Sequence, residues 1–95
     1  MAELEEILKE RGANYGAFSG HAAVTQDIKT TMYQGLSKNE KYLNLPDAKR
    51  VVVAEALDMI AHKIGRIVNG DPLFQDSWDD IAGYAKLVSQ HTKGE

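Results

Sequence analysis

The sequence predicts a small all-α domain of about four helices. Three observations carry that expectation. Apolar residues recur at three- and four-residue steps in several stretches. No stretch sustains the apolar–polar alternation of a half-buried strand, and the β-prone Val51-Val52-Val53 lies inside a longer helical pattern. The chain has 95 residues, which is one domain spanning residues 1–95.

Residues 2–11 form the first expected helix. Leu4, Ile7 and Leu8 recur at i, i+3 and i+4, and Gly12 follows as a C-terminal stop. Glycines then punctuate Asn14-Tyr15-Gly16-Ala17-Phe18-Ser19-Gly20, which reads as a loop. A second helix is expected from about His21 to Gln34, with Val24, Ile28 and Met32 as its stripe. Thr30 and Thr31 weaken it, because β-branched side chains lose rotamer freedom in a helix. Gly35 to Asn44 is a connector with one helical turn at Glu40 to Leu43. Pro46 suits the first turn of a third helix running to about Val68 and stopping at Asn69-Gly70. Asp71-Pro72 begins a turn, Ser77 reads as an N-cap, and the last helix is expected over about Trp78 to His91. Trp78, Ile81, Ala85 and Val88 form its apolar face, with Trp78 in the core. Gly83, inside this helix, points to close helix packing or to a ligand pressed on the backbone.

Composition narrows the classes. Eleven basic against 14 acidic residues give a net charge of −3, which argues against a general DNA-backbone binder and leaves room for a local basic pocket. The absence of Cys excludes a disulfide scaffold and a thiolate zinc site. No run approaches the roughly 20 apolar residues of a membrane span. Met1-Ala-Glu-Leu-Glu-Glu lacks the basic start and apolar run of a signal peptide, so a cytosolic location is expected.

The third helix is apolar nearly all round, so it should lie centrally or between subunits of a homo-oligomer. Yet Glu55, Asp58, His62 and Arg66 fall at about 0°, 300°, 340° and 20° around its axis, with Lys63 at about 80°. Two readings are open. The stripe is a solvated face with weak neighbour pairs, or it lines a polar pocket between helices. In a pocket, Glu55 and Asp58 would hold a divalent cation, or Lys63 and Arg66 would hold phosphate while acids accept from base or ribose. Asp80 and Tyr84 sit one turn apart on the last helix and form a second polar pair, and Asp79 and Asp80 can equally be helix-dipole partners. Tyr15-Gly16 either stacks on a planar ligand or packs the loop onto the core. His21, His62 and His91 lack an HExxH-type spacing, so no His-based metal site is expected.

The segments Glu10-Arg11-Gly12-Ala13-Asn14-Tyr15-Gly16, Lys63-x-x-Arg66 and Asp76-Ser77-Trp78-x-Asp80-Ile81-Ala82-Gly83-Tyr84-Ala85 together resemble a small all-α phage and prophage family of formerly unknown function. That family is similar in architecture to the MazG-type nucleotide pyrophosphohydrolases, which assemble into dimers or tetramers. The resemblance is weakest between Gly35 and Asp47. It implies a protein acting in the cytoplasm of an infected bacterial host. Small phage proteins of this kind act as sponges for the cyclic nucleotide signals of anti-phage defence, the anti-CBASS type of immune evasion. On that reading Lys63 and Arg66 bind phosphates, Tyr15 with Gly16 and Tyr84 meet the base, and Asp80 accepts from the base edge or orients Arg66. The enzymatic alternative is a Mg-dependent pyrophosphohydrolase using Glu55, Asp58 and Asp80. MazG-type catalysis pairs an E-x-x-E with an E-x-x-D. Glu55-x-x-Asp58 supplies only one such pair, since the second helix offers Asp27 as its one acid. Binding without turnover, with no cofactor, is therefore the expected function.

Overall fold

A computed structural model describes residues 2–94. Among the described residues there are five helices and no strand: α1 (Ala2–Tyr15), α2 (Phe18–Leu36), the single turn α3 (Glu40–Leu43), α4 (Asp47–Asn69) and α5 (Gln75–Gly94). The all-α expectation holds, with four long helices and one short turn.

α1 does not stop at Gly12. A Cβ there would meet no tertiary neighbour, so the glycine costs the helix only about 1 kcal/mol of propensity. The stop is Gly16, with a φ of 77° and its N–H bonded to Gly12 O at 2.9 Å. That positive φ is the left-handed cap geometry glycine adopts without strain. α2 absorbs Thr30 and Thr31 because their hydroxyls donate back to Gln26 O and Asp27 O at 2.9 and 3.2 Å. α3 is capped by Asn39, whose Oδ1 accepts from Tyr42 N at 3.0 Å. Pro46 stands as the N-cap of α4. Arg50 pairs with Asp47 and donates to Leu43 O, tying the connector to α4.

Two expectations for α5 are corrected. The helix begins at Gln75, so Ser77 lies within its first turn and is buried instead of serving as the N-cap. The preceding turn is set by Asp71, whose Oδ1 accepts from Leu73 N at 2.9 Å. Trp78 is not core: it is 48% exposed, and its indole N–H reaches Pro72 O at 2.8 Å. Gly83 has open space where a Cβ would stand, so no close helix packing explains it within one chain.

α4 is the central element. α2 and α5 both pack on it, and α1 lies against α4 and α2. The buried positions of α4 are Ala56, Ala61, Gly65 and Ile67, mostly small, so the helix backbones approach closely. A Cβ on Gly65 would overlap the hydroxyl of Thr25 and stand 3.0 Å from Nδ1 of His21, both buried on α2. Gly65→Ala should therefore push α2 off α4 and cost about 1–3 kcal/mol, read as a lower melting temperature. An unchanged melting curve would mean that the two backbones are not held at this spacing.

Candidate functional site

The site is built where the α1–α2 corner meets the C-terminal end of α4. Asn69, the last residue of α4, donates through Nδ2 to Tyr15 O at 2.9 Å and to Ala17 O at 2.8 Å. Asp71 N adds a bond to Asn14 O at 2.7 Å. Glycines make room for this clamp. A Cβ on Gly16 or Gly20 would overlap Asn69, and one on Gly70 would overlap the backbone at Asn14 and Tyr15. Tyr15 is thereby set beside α4. Its ring meets Phe74 edge-on at 5.4 Å and carries the Arg66 guanidinium over one face, 4.2 Å from the centroid.

Three members of the α4 stripe, Asp58, His62 and Arg66, meet residues of α1 and α2. The Tyr33 hydroxyl donates to Asp58 at 2.7 Å, which pushes the Tyr33 pKa up to about 12. His62 meets His21 edge to face at 4.5 Å, and Arg66 meets Tyr15. Glu55 is exposed. Lys63, one-sixth of a turn from Arg66 around the axis, reaches α5 instead and pairs with Asp80 at 3.0 Å.

Below Arg66 lies a pocket of about 410 Å³, within the usual range for small-molecule sites. α1 contributes Leu8, Arg11, Gly12 and Tyr15, the corner Gly16 and Ala17, α2 Phe18 and His21, and α4 His62 and Arg66. The lining contains two guanidinium groups and no carboxylate. Ala17, the N-cap of α2, gives no side-chain hydrogen bond. The first N–H groups of α2 thus keep their donor capacity where Gly16, Ala17 and Phe18 line the pocket.

The structure brings Tyr15, Gly16 and Arg66 together as the sequence reading placed them. It does not bring Lys63, Asp80 or Tyr84 to this pocket. Arg11, Phe18, His21 and Asn69 were missed as site residues. The signal that pointed to them is the glycine cluster around Tyr15 together with Asn69-Gly70. Phe18, 80% exposed, is the ring that a flat ligand can reach, since one face of Tyr15 is taken by Arg66. Glu55, Asp58 and Asp80 are not gathered at one point among the described residues. Asp58 is held by Tyr33, Asp80 by Lys63, and among the described residues no cluster of three or more His, Cys, Asp or Glu is poised for a metal. No family model, curated protein or solved structure matches the chain.

Both pocket histidines are held neutral. Burial, then the nearby Arg66 charge, lowers His62 to about 4, and burial with the same arginine lowers His21. The unfolded chain titrates near the ordinary histidine value of about 6.5, so it takes up protons before the folded one does. Stability contributed by the neutral pair is full above about pH 6.5 and declines as pH falls toward 4. The melting temperature should drop by roughly 5 °C or more across that window, and His62→Gln should flatten the drop. Equal slopes for the two proteins would remove His62 as its source.

The clamp has its own test. In Asn69→Asp the shape is kept, but a carboxylate cannot donate to the carbonyls of Tyr15 and Ala17. The change should cost about 1–3 kcal/mol, and hydrogen exchange should speed up at residues 14–20 before it does in α4.

Proposed function

We propose that this chain binds an anionic nucleotide in the pocket between α1, α2 and α4 and holds it without cleaving it. The observation that carries this reading is the convergence of Arg66, Arg11 and the uncapped start of α2 on one pocket whose lining has no carboxylate. Arg66 contributes a planar fork of donors, already oriented by the Tyr15 ring, for a phosphate. Phe18 offers its exposed face to a base. The neutral imidazoles of His21 and His62 supply hydrogen-bonding nitrogens without adding charge. Lys63 is assigned to the α4–α5 contact with Asp80 and given no phosphate role.

The ligand class follows from the resemblance of Tyr15-Gly16, Lys63-x-x-Arg66 and the 76–85 segment to the phage family: a cyclic di- or oligonucleotide signal of anti-phage defence, sequestered intact. The acids that a magnesium-dependent hydrolysis would use, Glu55, Asp58 and Asp80, lie outside the pocket lining, which favours holding over turnover.

The test is titration of a cyclic dinucleotide into the wild type and Arg66→Ala at two salt concentrations, with melting curves alongside. Loss of a charge-assisted hydrogen bond should weaken binding tenfold to a hundredfold, with at most about 1 kcal/mol lost from the fold. Affinity should fall gently with salt, as only about two phosphates are engaged. Heat release of bound ligand should return it intact. Equal affinity for the two proteins, or a hydrolysis product in the released fraction, would overturn the proposal.

A further inference from the structure

A glycine costs a folded chain conformational entropy, so each one needs a reason in space. Gly16, Gly20 and Gly70 make room for the Asn69 clamp, and Gly65 brings α4 close to α2. Gly12, Gly35 and Gly83 have no such reason within the chain, because a Cβ on any of them would meet nothing within 4 Å. Of these three, Gly12 alone lines the pocket. It lies inside α1, where glycine weakens the helix. Leu8, Arg11 and Tyr15 line the pocket from the same helix, and all three fall within about 100° of Gly12 around its axis. The side chain that Gly12 lacks is therefore lacking on the pocket side, and the space it leaves belongs to the cavity.

The backbone decides what that space accepts. Gly12 O already accepts from Gly16 N at 2.9 Å. Gly12 N–H is an interior helical donor directed at Leu8 O. What remains is a bare Cα surface with no free polar group, which suits a flat apolar face and not a phosphate. The partners for phosphate stand elsewhere in the same lining, on Arg66, Arg11 and the start of α2. Leu8 and Phe18, both exposed apolar side chains, line the cavity as well. We propose that Gly12 is a specificity-determining residue of the pocket, where the ring of a nucleobase lies against the α1 backbone at a distance only a residue without a Cβ allows. Glycine is the usual residue where backbone must approach a ligand closely. The inference rests on the nucleotide reading and adds to it the place of the base.

Gly12→Ala tests it, because the two expected effects have opposite signs. Alanine is the better helix former and nothing in the chain obstructs its methyl group, so the melting temperature should stay level or rise by a few degrees. The same methyl group should weaken a cyclic dinucleotide about tenfold or more, as an overpacked contact does. Inorganic phosphate, which needs only the cationic groups, should keep its affinity. Gly12→Leu should deepen the loss for the dinucleotide, again with the helix intact. Gly83→Ala is the control, an open glycine inside a helix but outside the pocket lining. It should melt no lower than the wild type and bind as the wild type does. Unchanged dinucleotide affinity in Gly12→Ala and Gly12→Leu, an equal loss of phosphate affinity, or an equal loss of dinucleotide affinity in Gly83→Ala would each overturn the proposal. If Arg66→Ala weakens the dinucleotide while the Gly12 variants do not, the place of the base is wrong and the nucleotide reading stands. If the wild type binds no dinucleotide, both fall.

Discussion

One side-chain amide ties the α1–α2 corner to the end of α4. Asn69 closes α4 and uses its Nδ2 on the carbonyls of Tyr15 and Ala17, residues more than fifty positions earlier in the chain. A helix end leaves carbonyls without intrahelical partners, and here the carbonyl at the end of α1 is satisfied by the end of another helix. The rest of the corner follows from that contact. Gly16, Gly20 and Gly70 have no Cβ because the clamp occupies the space. Tyr15 is set beside Arg66, α2 starts beside the pocket, and α1 lies against α4 and α2 with Leu4, Ile7 and Leu8 about half exposed. The site is a product of the corner more than of any one helix.

The fold was legible where punctuation was local. Pro46 and Gly70 bracket α4 within a residue or two of the expected limits, because a proline suits a helix start and Asn-Gly a helix end. Gly12 misled because propensity was weighed without a tertiary contact to enforce a stop. Ser77 misled because Asp71 had already set the turn, leaving the serine to be buried inside the helix. Trp78 shares a helical spacing with Ile81, Ala85 and Val88 that points inward, but its indole N–H found a carbonyl at the surface.

The site was half legible, for a geometric reason. Residues 63 and 66 are close in sequence, yet they differ by about 60° around the axis. On a helix packed from two sides that angle separates two neighbours, and Lys63 goes to α5 while Arg66 goes to the α1–α2 corner. The alternation of partners along α4 also explains why Asp58 and Asp80, both candidate ligands for one ion, meet different residues. Arg11, Phe18 and His21 were signalled only indirectly, by the glycines around Tyr15 and by Asn69-Gly70, because their convergence involves a contact between distant positions that no local periodicity encodes.

The two edge-to-face imidazoles carry a further consequence. They share the pocket with Arg66, and the cation next door is part of what keeps them unprotonated. An anion seated there would offset that positive field and raise their proton affinity. The complex would then take up protons that the empty protein leaves in solution, and acidification would strengthen binding across the same interval in which it loosens the empty fold. Fold and ligand would compete over one proton with opposite signs, and the heat released on binding would depend on which buffer surrenders it.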